Sequence, residues 1–216
     1  MLHTETVEGA TLQLLRSLLG QSELSGFALV GGTALALLMG HRKSVDLDLF
    51  ARETFDRVQL GEFLQQNYGF KEDFSKGYTL KGTINGIKID CIRHAYPYIH
   101  PDRTTDGIRM YSTEDIAAMK LLAIKDNGSR LKDFVDVAFL STRLSLCDIL
   151  RGYSHKYPDS NSTIALKALT YFEDIDFGQS VVLCGGRFEW ELVRQRLLDM
   201  CRHQDRIYPD FPLLKD

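Results

Sequence analysis

Apolar positions recur along this chain with two different periods, and the change of period divides it into an alternating first half and a helical second half. Residues 7–19 place Leu12, Leu15 and Leu19 at helical spacing, which predicts an opening amphipathic helix. Phe27-Ala28-Leu29-Val30 is a short apolar strand ended by Gly31-Gly32, and 33–39 reads as a helix stopped by Gly40. Residues 45–50 alternate apolar and acidic side chains with period two, the pattern of a strand. Residues 55–68 predict another helix, closed by Gly69. From 70 to 93 short β-type runs follow, with turns at Lys76-Gly77 and Asn85-Gly86; the Asn-Gly pair is a strong hairpin signal. Residues 97–107, with two prolines and several polar side chains, predict the loop between halves. Beyond it, Ser112-Thr113-Glu114-Asp115 caps a helix running to about Lys125. Asn127-Gly128-Ser129 ends that helix, 131–140 begins the next, and two more are expected near 162–172 and 188–203. The expected organisation is a sheet-and-helix core over 1–108 and a helical C-terminal domain over 109–216.

Composition narrows this picture without redirecting it. A chain of 216 residues with 44% apolar content can bury one good-sized core or two small lobes. A net charge of -3 gives no global basic field, although a local cationic groove remains compatible with it. Glu5 and Glu8 stand where a signal peptide would be basic, and the longest apolar run, 34–39, is far short of the roughly 20 residues that span a bilayer. Cys91, Cys147, Cys184 and Cys201 are scattered with no Cys-x-x-Cys pair, the usage of reduced thiols. A cytoplasmic location without membrane contact is expected.

The chemistry begins at Asp46 and Asp48. Two apart on a strand, their side chains leave one face, while Val45, Leu47 and Leu49 leave the other, where a core would cover them. Paired carboxylates repel unless a hard divalent cation, Mg²⁺ or Mn²⁺, bridges them; such a cation can also hold triphosphate oxygens. Taken alone, Asp-x-Asp on a solvated strand face is commonplace. Just upstream, however, Val30-Gly31-Gly32-Thr33 sits at a strand-to-helix junction, where glycines let backbone approach a phosphate and a helix N-terminus offers unpaired N–H groups. Asp90, alternating against Ile89 and Cys91 on the distal strand of the Asn-Gly hairpin, is the candidate third carboxylate. Its bland alternative is a solvated strand-face acid.

Gly31-Gly32-Thr33-Ala34-Leu35-Ala36-Leu37, then His41-Arg42-Lys43-Ser44-Val45-Asp46-Leu47-Asp48-Leu49-Phe50, resembles the AbiEii/AbiGii-type nucleotidyltransferase toxins of the DNA polymerase β-like superfamily. The stretch 115–123, followed by Arg130 and Lys132-Asp133-Phe134-Val135-Asp136, resembles that family's second block. The resemblance implies an α+β nucleotidyltransferase fold, with a small mixed sheet and flanking helices followed by a helical C-terminal half. It also implies an NTP substrate, Mg²⁺ and an RNA acceptor, plausibly tRNA, in a toxin–antitoxin or phage-defence setting with a cognate antitoxin. It gives Asp46 and Asp48 the metal, Gly31, Gly32 and Thr33 the nucleotide phosphates, and Lys120 and Asp133 the roles of the family's helix lysine and later acid. Residue chemistry adds that Lys120 is the one charge in 116–124, and that Arg42 and Ser44 precede the acidic strand and are placed to touch the triphosphate, Arg42 the better by its guanidinium fork. Asp133 and Asp136, i,i+3 on a helix, share a face: one is expected to orient Lys120, Arg130 or a substrate, the other to be a plain surface acid.

Residues after Leu140 match no motif, and the basic side chains there (Lys156, Arg187, Arg196 and Arg202 among them) are mixed with acids, so the acceptor is open. A protein or small-molecule acceptor is the second reading. A catalytically inactive nucleotide-binding or partner-binding module of the same fold is the third; it would be expected to have lost Asp46 or Asp48, and both are present. His94, His100, Tyr96 and Tyr98 read as loop packing, and Trp190 as the anchor of the last helix.

Overall fold

A computed structural model describes residues 1–215, which divide into two compact units interleaved along the chain. The first comprises 1–40, 44–96 and 102–111; the second comprises 41–43, 97–101 and the remainder from Ser112.

The first unit holds helices α1 (Gly9–Leu19), α2 (Gly31–Met39) and α3 (Arg57–Tyr68). Its strands are β1 (Phe27–Val30), β2 (Leu47–Ala51), β3 (Lys71–Lys76), β4 (Thr79–Ile84), β5 (Ile87–Arg93), β6 (Arg103–Thr105) and β7 (Ile108–Met110). They form one seven-stranded mixed sheet in the order β3-β4-β5-β2-β1-β7-β6. β2 runs antiparallel to β1 and parallel to β5, so the acidic strand is central and flanked on both sides. Its alternation is real: Leu47 and Leu49 are fully buried with Ile89, Cys91 and Leu29, while Asp48 shares the opposite face with its register partner Asp90. α2 is apolar on every side and accordingly buried all round. Asp56 caps α3 by accepting from the Val58 and Gln59 N–H groups.

Two local expectations change here. The strand starts at Leu47 rather than Val45, and Val45 is 52% exposed instead of lying on the core face. β1 ends at Val30, the partner of Asp48, because the chain turns into α2 there; residues before Leu47 have no ladder on that side. The expected loop 97–107 is half a hairpin. Asp106 (φ 52°) and Gly107 (φ 77°) make the two-residue turn joining β6 to β7, and β7 pairs with β1.

The second unit carries α4 (Thr113–Asp126), α5 (Leu131–Leu140), α6 (Leu146–Lys156), α7 (Ser162–Ala168) and α8 (Trp190–Arg202). α6 was not expected, and α7 stops at Ala168 rather than near 172. α6 has its own start signal, since the Ser145 hydroxyl accepts from the Asp148 N–H and donates to the Asp148 carboxylate. Ser112 caps α4 in the same way through Asp115. Trp190 is half-buried, edge-on to Phe172 and Phe177 at 5.4 and 5.3 Å between centroids. Among the described residues no helix is long and apolar enough to cross a membrane, and the four cysteines are free.

Candidate active site

In the sheet unit the glycine turn and the acidic strand meet in van der Waals contact. Gly31 opens α2 with φ +68°, a conformation that L side chains rarely adopt, and a Cβ placed on it would fall on Asp48 Oδ2. Any side chain at 31 would therefore displace the carboxylate. α2 begins at Gly31 beside Asp48, and its N-cap residue, Val30, offers no side-chain cap to the first N–H groups. Asp90 lies in register with Asp48 on the adjacent parallel strand, and its Oδ2 accepts from Lys81 Nζ at 2.5 Å. Asp46 is exposed in the segment that enters β2. Among the described residues no three acidic or imidazole side chains converge as a ready-made metal cage.

Thr33 and Ser44, both expected at the nucleotide, act on the backbone. Thr33 is buried, its hydroxyl donates to the Asp46 carbonyl, and it lies 2.9 Å from Ser44 Oγ. A hydroxyl has one proton, so the Thr33 O–H is shared between two acceptors, the Asp46 carbonyl and Ser44 Oγ. The pair shapes the 44–46 segment.

In the helical unit a second set of expected residues comes together around one that was not singled out. Asp136 is fully buried and takes the Arg42 fork on both oxygens, Nε at 2.6 Å and Nη2 at 2.9 Å. It also accepts from His41 Nε2 at 2.9 Å, and Lys120 Nζ lies 2.8 Å from Oδ2. Lys120 donates to Asp133 Oδ1 at 2.6 Å, and Arg130 approaches the other Asp133 oxygen at 3.3 Å. Burial alone would raise the Asp136 carboxyl, but the Arg42 and Lys120 charges and the bonds from His41 and Arg42 hold it well below the ordinary value. Burial likewise opposes the Lys120 charge, and the two carboxylates overcome it and push its pKa up. His41 goes the other way: burial lowers its pKa and favours the neutral ring, its Nε2 proton goes to Asp136, and its Nδ1 has no hydrogen-bond partner among the described residues.

Arg42 was expected on the triphosphate; its guanidinium instead closes on Asp136 with only 4% of the side chain exposed. Asp133 was expected as the essential acid, and of the Asp133–Asp136 pair one was expected to orient a partner and the other to be a plain surface acid; Asp136 is the hub. Its spacing from Asp133 was the available signal, but a spacing of three says nothing about which acid faces inward. His41 had no signal beyond its place before Arg42. Lys156, counted among the basic residues after Leu140, is fully buried and donates to Asp115 Oδ1 at 2.7 Å and to the Pro97 carbonyl at 2.9 Å.

Comparison with known proteins bears on both units. The family model described as "Nucleotidyl transferase AbiEii toxin, Type IV TA system" matches residues 13–181. An uncharacterized protein of Aquifex aeolicus (strain VF5), aq_aa25, is 34% identical over 154 residues, covering 68% of this chain and 74% of that protein. Among solved structures, JHP933 from Helicobacter pylori aligns over 92% of this chain and 93% of its own, with TM-score 0.55 and 15% identity. A second structure from the same species covers 92% and 96%, with TM-score 0.56 and 17% identity. At those identities the two structures speak to the fold, and they agree with the mixed sheet and flanking helices described above.

Proposed function

The chain belongs to the AbiEii nucleotidyltransferase toxin family and is a nucleotidyltransferase, and from that premise we propose that it uses a divalent cation to transfer a nucleotidyl group from an NTP to a hydroxyl of RNA. The observation that carries the reading is the abutment of Gly31 on Asp48, which puts a phosphate-type helix N-terminus and a carboxylate of the acidic strand at one point. The donor set fits Mg²⁺ held by one or two carboxylates and completed by phosphate oxygens and water, rather than an all-protein cage. Asp46 and Asp48 are the residues assigned to it. When bound, the cation neutralises charge on the triphosphate and its leaving group.

The chain's own groups do the rest. The Gly31 and Gly32 N–H groups receive phosphate oxygens, with the positive end of α2 behind them. Asp90 takes the proton of the attacking hydroxyl. The hydroxyl oxygen bonds to the α-phosphorus, the bond from that phosphorus to the bridging oxygen breaks, and pyrophosphate leaves with the electron pair. Lys120 and Asp133 are assigned as essential through the buried cluster that fixes residues 41–43, the segment that continues into Ser44. In the cell the product is a modified RNA, with tRNA the acceptor that the family resemblance implies, and it arrests growth in the cytoplasm until a cognate antitoxin reverses or prevents it.

The test is to incubate the protein with each labelled NTP, Mg²⁺ and total RNA, beside an RNA-free lysate fraction and an EDTA control. Label should enter RNA, disappear with EDTA and disappear in Asp48→Ala. Label in protein alone would overturn the acceptor, and an Asp48→Ala enzyme that labels like wild type would overturn the site.

A further inference from the structure

We infer that the N-terminal turn, residues 2–7, is a working part of the cation and nucleotide site: it positions the segment carrying Asp46 through Ser44 and Thr33. The inference rests on the assignment of Asp46 and Asp48 made above. It concerns residues that precede the stretch matched by the family model, 13–181.

The turn is built to be held in place. Leu2, Thr6 and Val7 are buried, although they stand at the start of the chain. The His3 N–H donates to the Leu37 carbonyl in the last turn of α2 at 2.8 Å, and the Thr6 hydroxyl folds back on the His3 carbonyl at 2.7 Å. Gly40, which ends α2 at φ +71°, makes room for the His3 ring: a Cβ there would lie 2.5 Å from Nδ1 and 2.7 Å from Cγ. The turn then presents the Thr6 carbonyl, which accepts the Ser44 N–H at 3.0 Å.

From Ser44 the connection continues without a gap. Its hydroxyl meets Thr33 Oγ1, and Thr33 holds the Asp46 carbonyl. Thr33 is in the first turn of α2, two residues after Gly31, whose Cα is packed against Asp48. Asp46 lies outside the β2 ladder, so no strand pairing fixes its backbone. The two metal-assigned acids are therefore held by different means: Asp48 by the sheet, and Asp46 by Thr6, Ser44 and Thr33. A carboxylate whose backbone wanders binds its cation less tightly, which makes these positioning residues rather than catalytic ones.

The experiment measures Mn²⁺ binding to the full chain without nucleotide by electron paramagnetic resonance, then kcat and KM for NTP, with circular dichroism and a thermal midpoint for each variant. Thr33→Val removes the hydroxyl and keeps the shape; it should weaken Mn²⁺ binding about 10-fold, while Thr33→Ser restores it. Thr6→Val should act in the same direction and less strongly, with Thr6→Ser restoring it. If folded Thr33→Val and Thr6→Val bind Mn²⁺ within about twofold of wild type, below the effect expected for a supporting residue, while Asp48→Ala does not bind, the positioning role is refuted and the site stands. If Asp48→Ala binds as wild type does, the site itself falls and the inference with it. Should Thr33→Val fail to fold, Ser44→Ala, at a half-exposed residue, decides by the same criterion.

Discussion

Replacing Asp136 by asparagine isolates the charge at the centre of the helical unit. The side chain keeps its size and one oxygen, but an NH₂ group now faces the donors of Arg42 or Lys120. The buried charges, Arg42 and Lys120 against Asp133 and Asp136, go from balanced to one net positive. Removing one partner of a buried ion pair costs about 3–5 kcal/mol, a large part of the roughly 5–15 kcal/mol that keeps a domain folded. At about 2–4 °C per kcal/mol for a chain of this length, the thermal midpoint should fall by about 6–20 °C. Differential scanning calorimetry at pH 7 reads this, and Arg42→Met/Asp136→Leu is the control, since apolar replacement of a buried pair is often close to neutral. The depressed Asp136 carboxyl adds a pH signature. Its stabilisation is present above the unfolded-state value near pH 4 and is lost as pH falls through the folded one, so the acid limb of Asp136→Asn should be shallower than wild type. A midpoint within about 2 °C of wild type, less than 1 kcal/mol on the same scale, would show that Arg42 and Lys120 do not need the Asp136 charge and would refute the reasoning.

Other expectations follow from the same geometry. His41 stays neutral when folded while the unfolded ring takes a proton below about pH 6.5, so stability should fall by about 1.4 kcal/mol per pH unit below that point until the folded pKa is reached. His41→Gln, which still donates to Asp136, should flatten urea-unfolding free energies between pH 5 and 6.5; an unchanged slope would count against the buried neutral ring. Gly31→Ala should lose activity out of proportion to stability, because its methyl displaces the Asp48 carboxylate; labelling and thermal midpoint measured together check it, and a fully active variant would contradict the contact. Lys156→Met leaves Asp115 charged in the interior with the N–H groups of Ile99 and His100 and the Ser112 hydroxyl, and should cost about 3 kcal/mol. Faster hydrogen exchange at Ile99 and His100 is the local readout, and unchanged protection there would show that Lys156 is dispensable.

What could be read from the sequence was whatever a few consecutive residues decide. Asn85-Gly86 marks its own hairpin, and 131–140 is helical in the structure as its pattern predicts, since periodicity and turn chemistry are local. Asp106-Gly107 carries the same kind of signal as Asn85-Gly86, but Pro97 and Pro101 drew the segment into a loop reading. Ser145 and Asp148 likewise announce α6, and its buried Leu146, Ile149 and Tyr153 keep helical spacing among mostly polar neighbours, a local signal of the same kind. The roles of Arg42, Thr33 and Asp136 were beyond such reading. Each depends on a partner brought close by folding: Asp136 lies 94 residues from Arg42, and the Thr33 hydroxyl reaches a carbonyl 13 residues away. Residue type indicated that Arg42 wants an oxyanion; only the fold shows that the oxyanion is a carboxylate of the same chain.

The buried acids of the helical unit also explain how two very short segments become part of it. Residues 41–43 and 97–101 are three- and five-residue visits of the chain to that unit, too short to bury much apolar surface. Residues 41–43 pair with 182–184 in a single antiparallel bridge, and each segment is also received by a buried aspartate on a helix. Asp136 takes the side chains of His41 and Arg42, and Asp115 takes the Ile99 and His100 N–H groups. Each aspartate is balanced by a buried lysine, Lys120 or Lys156, and Lys156 also holds the Pro97 carbonyl. Apolar contacts of the same size would tolerate a slide of one residue; a fork on a carboxylate or a pair of N–H groups on one oxygen cluster does not. The desolvation of these buried charges therefore returns little net stability and a single position for each segment. One peptide bond then joins Lys43 to Ser44, whose Oγ meets the Thr33 hydroxyl in the sheet unit.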